Sequence, residues 1–217
     1  KDRAFVLTAV KRSGNVLWYV SEAFSKDREI VLAAVTQNGL ALQYADEKLQ
    51  KDDKIVLAAV KSNGNALEYA DEEFRKNDKV VLAAVKSNGI ALKFASEKFR
   101  RNRGIVMEAI KRNAWAIGSA SYELKRDPEL RALANESFMA AVKQDGMKLE
   151  NVPEAFKKDR KLVLAAVEEN GHALLYASNE LRYDPKIRAA VKTYFQSLNW
   201  SDDMIKLFFK DPSLVLL

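Results

Sequence analysis

"VLAAVKSNG" stands at Val56–Gly64 and again, letter for letter, at Val81–Gly89. Looser copies read VLAAVTQNG at Val31–Gly39 and VLAAVEENG at Val163–Gly171. Aligned on this phrase, copies begin at Val6, Val31, Val56, Val81 and Val106, each at the same interval after the last. The series resumes at Phe138 (FMAAV) and Val163, so the step from 106 to 138 holds seven extra residues. A fixed period of about 25 residues marks a stack of like units, none of which can bury its apolar face alone. We number the units repeats 1 to 7.

One unit, from Asp52 to Asn77, shows why. Asp52 sits where a helix N-cap belongs, and Asp27, Asp127, Asp159 and Asp184 hold the same place. A helix of about ten residues is expected after it, with Ile55, Leu57 and Val60 turned inward and Ala58 and Ala59 small enough for close packing. Asn63-Gly64 is expected to end that helix, the glycine taking the left-handed conformation. NALEYA then reads as a short helical stretch, and Asp71 caps a further turn anchored by Phe74, as Ser96 and Ser178 are expected to do in their repeats. Helices this short are marginal by themselves, so stability has to come from the neighbouring copy. The expected fold is all-α: a solenoid of short-helix repeats in two blocks.

The joint has its own signature. ELKRDPELRALANESF at Glu123–Phe138 and ELRYDPKIRAAVKTYF at Glu180–Phe195 match each other, each with Asp-Pro opening a divergent helix. The division expected is a first block of five repeats at 1–127, a joint helix at 128–137, and a second block with closing helices at 138–217. The chain begins with KDRAFVL, the middle of a repeat, and ends with FFKDPSLVLL, which reads as another repeat opening. A piece of a longer chain is the expectation. Trp200, Phe208 and Phe209 either close the core or pack on a further unit, with Ser201, Asp202 and Asp203 at the start of a helix over 204–210.

Composition narrows the function classes. With 48% apolar and 30% charged residues the chain has enough apolar material for a folded core. There is no cysteine, which removes disulfides and thiolate metal sites, and a single histidine, His172, leaves little for a His-based triad or metal site. Neither a Gly-rich phosphate loop nor an HExxH pattern occurs, and adjacent acids such as Glu72–Glu73 or Glu168–Glu169 read as solvated surface. No catalytic, cofactor or metal residue is assigned, and an enzyme is not expected. No apolar run is long enough for a transmembrane segment.

The stretch Val56–Val85 resembles a bacterial repeat family known only as a domain of unknown function, whose units read loosely VLxAVxxNGxALxxASxxLxxD. Departures fall in repeat 5, where Ala114-Trp115 replaces Gly-X and Gly118-Ser119 the usual polar-aromatic pair, and in repeat 6, with Asp145-Gly146 and Pro153. The resemblance implies a module inside large proteins of intracellular, Legionella-like bacteria. There such proteins are often secreted effectors, made in the bacterial cytoplasm before delivery to a host cell. It carries no catalytic residues to transfer.

Specificity has to reside where repeats differ. The residue after the glycine reads Asn15, Leu40, Asn65, Ile90, Trp115, Met147, His172, and three residues on come Trp18, Gln43, Glu68, Lys93, Gly118, Glu150, Leu175. These lie one turn apart and share a face. Trp18, Ile90 and Trp115 either fill gaps between repeats or, with Lys93, meet a protein partner. Charge offers the alternative. Residues 78–127 hold eleven Lys/Arg against five Asp/Glu, so the whole net charge of +6 is local. Arg100, Arg101, Arg103, Lys111 and Arg112 make an anionic ligand, a lipid headgroup or nucleic acid, the second reading. The bland reading of both sets is core filler and solvated surface.

Overall fold

The structure is a computed structural model, describing residues 2–210. Among the described residues there are helices, turns and no strand, and the fold is an all-α repeat solenoid. The residues from Asp211 onward, where another repeat opening is expected, lie outside the described ones. The chain divides into two compact bodies, Lys1–Arg131 and Ala132–Leu217.

Each repeat follows one plan: a long helix, a 3₁₀-helix and a short closing turn. The long helices of repeats 1 to 5 are Arg3–Arg12, Arg28–Gln37, Asp53–Ser62, Asp78–Ser87 and Arg103–Arg112, and that of repeat 7 is Arg160–Glu169. Each starts at a short polar cap. Asp52 Oδ1, for instance, accepts the backbone N–H groups of Lys54 and Ile55 at 2.9 and 3.0 Å, which satisfies two donors that a helix start leaves unpaired. The buried stripe is Ile55, Val56, Ala59 and Val60, all 0% exposed. Leu57, expected inward, is only half-buried, as is Ala58. The inward pairs at 55–56 and 59–60 repeat at four residues, and Leu57 lies one residue past the stripe's edge.

Asn63-Gly64 ends the helix by a different device from the one expected. No described glycine has positive φ. Asn63 is extended, at φ −148° and ψ 113°, its N–H donates to Ala59 O, and its Oδ1 accepts from Asn65 N. One asparagine therefore closes the α-helix and opens the 3₁₀-helix Gly64–Tyr69. The glycine is needed for space. A Cβ on Gly64 would stand 2.2 Å from the carbonyl oxygen of Ala84 in the next repeat. Gly39 meets Ala59 O, and Gly89 meets Ala109 O, in the same way.

Six-residue 3₁₀-helices recur in every repeat, longer than such helices usually run. Side chains from the third piece of the repeat support them. Gln50 Nε2 donates to Leu42 O and Ala45 O, both at 3.1 Å, and Arg75 Nη2 donates to Glu68 O. The third piece is a three- or four-residue turn of helix in repeats 1, 3, 4, 5 and 7, such as Phe74–Lys76 or Glu97–Arg100, and turns without helix in repeats 2 and 6. Phe74 and Phe99 anchor it in the core. Asp71 caps its turn through Glu73 N, but the hydroxyls of Ser96 and Ser178, expected to cap theirs, are buried and make no such bond. The shorter serine side chain is turned into the protein at that point.

Neighbours are joined by polar ladders as well as by apolar packing. Asp46 N donates to Ser25 O, Asp71 N to Gln50 O, Ser96 N to Arg75 O and Ser121 N to Arg100 O. The N–H groups of Gly39 and Gly64 donate to Ser62 Oγ and Ser87 Oγ, each at 3.1 Å.

The joint helix does not stop at residue 137. It is one helix of 17 residues, Pro128–Gln144, which absorbs the seven extra residues. Seven residues are about two turns, so the same side stays inward: Leu130, Ala134, Phe138 and Val142 are all 0% exposed. No Gly or Pro interrupts it after Pro128, and Asp127 Oδ1 caps it through Glu129 N and Leu130 N. In the C-terminal body, repeat 7 is followed by the helices Pro185–Ser197 and Asp202–Lys210. Phe195 and Phe208 are fully buried there, and Trp200 stacks on Phe195 with ring centroids 4.2 Å apart.

Candidate partner-binding face

The 3₁₀-helices set the candidate row. With three residues per turn, positions three apart lie one above the other, so the residue after each glycine and the one three later share a side. Trp18, in Gly14–Tyr19, is 64% exposed although its ring lies against Tyr19 (6.2 Å) and Tyr44 (5.1 Å). Lys93 is exposed, with its ammonium 4.4 Å from the Phe94 ring centre. Trp115 is half-buried, and its backbone N–H is held by Asn113 Oδ1. Trp18 and Trp115 belong to the first and last repeats of the N-terminal body and are not brought together. His172, in the same series, is half-buried against Phe195, Trp200 and Phe208, and that burial lowers its pKa below the ordinary histidine value.

The basic residues do not form one patch. Arg103 begins its helix and Lys111 and Arg112 end it, about 12 Å away along the axis. Arg103 is already occupied: its guanidinium holds Asp127 at 2.9 Å and also pairs with Glu129. Arg101 pairs with Glu97 at 2.7 Å, and Arg112 with Glu108 at 3.2 Å. Arg100 is half-buried at the position from which Arg75 reaches back to the 3₁₀ carbonyls. Lys111 is exposed. Arg103 has counterparts: Arg3–Asp27 at 2.7 Å, Arg28–Asp52 at 2.9 Å and Arg160–Asp184 at 2.7 Å. Each arginine steadies the cap of the next long helix. The hydrogen bond from arginine is the main reason that Asp27, Asp52, Asp127 and Asp184 titrate below the usual carboxylate range, helped by the backbone N–H groups they cap.

Sequence reasoning missed two further features. Tyr19, Tyr122 and Tyr183 are exposed aromatics. Tyr122 and Tyr183 stand where other repeats carry Glu47, Glu72 and Glu97, or Lys51, Lys76 and Arg101, so an aromatic at a charged position was the available signal. The second is a notch between adjacent repeats that recurs at equivalent places. It has a volume of about 360 Å³ between repeats 2 and 3, where Gln50, Lys51, Tyr69 and Asp71 line it. It is about 250 Å³ between repeats 4 and 5, beside Arg100 and Tyr122, and about 550 Å³ in the C-terminal body, beside Lys157 and Arg182. Its lining mixes both charge signs. Among the described residues no cluster of three or more His, Asp or Glu side chains is placed to hold a metal ion. No helix there is long and apolar enough to cross a membrane.

Compared with known proteins, the chain matches the family described as Domain of unknown function (DUF4116) five times, over residues 2–50, 27–75, 52–100, 77–125 and 136–182. The first four matches start one period apart and overlap by half, so each spans two repeats. No curated protein and no solved structure matches the chain. The matches cover most of the sequence, and the chain belongs to the DUF4116 repeat family.

Proposed function

We propose that the chain is a non-catalytic recognition module that presents the unshared side chains of its stacked repeats to a protein partner. Repeats that share one pattern are a poor way to make one catalytic constellation and a good way to make an extended contact surface within each body. The observation that carries this reading is Trp18: a large aromatic ring, 64% exposed, where the next repeats carry Gln43, Glu68 and Lys93. Tryptophan and tyrosine so placed are the commonest anchors of protein interfaces. The motif resemblance supports placing the module in a larger bacterial protein, with a secreted effector as the specific case.

The test is site-specific photocrosslinking from position 18 in host-cell extract, with the exposed position 54, outside the candidate row, as control. A discrete adduct from position 18, absent at position 54 and indifferent to added salt, is the expected result. Absence of any position-18 adduct would refute the reading. The anionic-ligand alternative is weakened because Arg101, Arg103 and Arg112 already face carboxylates. Salt-sensitive sedimentation with phosphatidylserine vesicles, abolished by Arg100→Glu and Lys111→Glu together, would restore it.

A further inference from the structure

The long helices carry a surface of their own in the middle of the N-terminal body. In repeat 3, Lys54, Leu57, Ala58 and Lys61 fall at helical spacing and share one face. Lys54 and Lys61 are exposed, and Leu57 and Ala58 are half-buried between them. Repeat 4 presents Lys79, Leu82, Ala83 and Lys86 in the same way, and repeat 5 continues with Met107 and Lys111. The long helices of these repeats pack on one another, so Leu57, Leu82 and Met107 make an apolar strip bordered by lysines on both edges. Between repeats 1 and 2 the same positions, Leu7, Leu32 and Ala33, help line an apolar depression of about 460 Å³. Alanine beside leucine leaves that space between neighbouring helices.

The five lysines differ from the other cations of this body. Arg28, Lys98, Arg101 and Arg103 each hold a carboxylate, whereas none of the five is ion-paired among the described residues. Of the acids beside them, Asp78 and Glu108 are taken by Lys98 and Arg112, which leaves Asp53. Packed helices lie about 8–10 Å apart, roughly a Debye length at physiological salt, so each lysine row repels itself and attracts an incoming acid. Repeat 7 separates the two ingredients: it keeps the half-buried Leu164 and Ala165 but carries Glu168 in place of Lys61. The apolar strip belongs to the repeat plan. The double lysine border belongs to repeats 3 and 4, with Lys111 extending one edge.

Dimensions choose the occupant. Lys54 and Lys61 are two turns apart, about 10 Å along the axis, which is the width of one α-helix with its side chains. Each repeat advances the strip by about 8–10 Å, close to the rise of one heptad of helix. A helix with one apolar contact per heptad therefore meets Leu57, Leu82 and Met107 in turn. A plane of lipid headgroups would touch the lysines and leave the sunken strip uncovered.

We propose that the long helices of repeats 3 to 5 bind an acidic amphipathic helix of a partner protein, laid across them with its apolar stripe on the strip and its carboxylates on the lysine borders. This surface lies on the long helices, apart from the Trp18 row on the 3₁₀-helices. A helix crosslinked from position 54 is then a different species from the position-18 adduct, and either reading can fail without the other.

The test titrates a fluorescent peptide, three copies of Leu-Glu-Ala-Leu-Glu-Ala-Glu, with the full chain and follows anisotropy at physiological salt. Saturable binding is expected. It should weaken about tenfold or more when the peptide's residues are scrambled, and by as much in the chain carrying Lys61→Glu and Lys86→Glu together. Lys48→Glu, on the exposed closing turn of repeat 2, should leave it unchanged. A peptide with lysine at every glutamate position should prefer the double variant to the unaltered chain, and amide exchange at Val81–Val85 reports that the variant is folded. No saturable binding, or equal binding of the scrambled peptide, would overturn the proposal. So would phosphatidylserine vesicles or duplex DNA that bind more tightly than the helix and are lost in the same double variant, which would give the lysines to lipid or nucleic acid.

Discussion

Gly64 and Gly171 occupy the same position in repeats 3 and 7, yet they meet different neighbours. A Cβ on Gly64 would strike a backbone carbonyl of the next repeat at 2.2 Å, and one on Gly171 the Tyr194 ring at 2.7 Å. Inside the stack, a repeat packs backbone to backbone on its copy, and only the absence of a side chain lets the two approach. At repeat 7 the neighbour is the closing helix Pro185–Ser197, and aromatic rings fill the same space. A repeated phrase therefore serves the interface it faces.

The comparison can be broken at either end. The largest expected effect is Phe195→Ala, which removes a fully buried ring stacked on Trp200 and destabilises the C-terminal body by about 4 kcal/mol. Chemical denaturation followed by exchange in that body measures it. Next, Gly64→Ala is expected to cost roughly 3 kcal/mol, because a carbonyl in a helix end cannot step aside. Gly171→Ala should cost about 1 kcal/mol, since a ring can tilt. Gly118→Ala has nothing within 4 Å to meet and serves as the neutral member of the series. Equal losses at Gly64 and Gly118 would remove the close-approach argument. Asn63→Ala, which loses the 3₁₀ cap, is expected to cost about 1 kcal/mol by the same measurement.

Acid separates the two bodies more gently. His172 has its pKa lowered by burial, so the neutral ring is the favoured folded form. Its contribution is present above the ordinary histidine value and is lost as pH falls through the lowered one. The N-terminal body holds no histidine. Its Asp27 and Asp52 caps titrate below the carboxylate range, so their contribution is kept until pH falls below about 4. Between pH 7 and 5 the C-terminal body should lose exchange protection and the N-terminal body should not, and His172→Gln should flatten the difference.

Much of this was legible in the residues. The period, the aspartate caps, the ten-residue helices and the buried Phe74 and Phe99 follow from patterning alone. The glycine's role did not, because Asn-Gly reads the same whether the glycine turns left-handed or makes room for a carbonyl of the following repeat. Leu57 was misplaced because the stripe's edge depends on where the next helix lies. The Arg103–Asp127 pair was legible in principle. Arginine precedes aspartate by one constant separation at 3/27, 28/52, 103/127 and 160/184, but the spacing carries meaning only once the stack brings those positions together. The exposure of Trp18 was left open by the sequence, since an aromatic ring suits a gap as well as a surface.

Excising residues 27–51 tests most directly the claim that neighbouring repeats, not separate local folds, hold the chain together. The deletion removes one period and sets Arg3 before Asp52 at the separation it now keeps from Asp27. Amide exchange in repeats 3 to 5 should stay within about tenfold of the intact chain, while removal of residues 27–38 alone should abolish that protection. Loss of protection after the full-period deletion, or equal tolerance of both, would contradict the account.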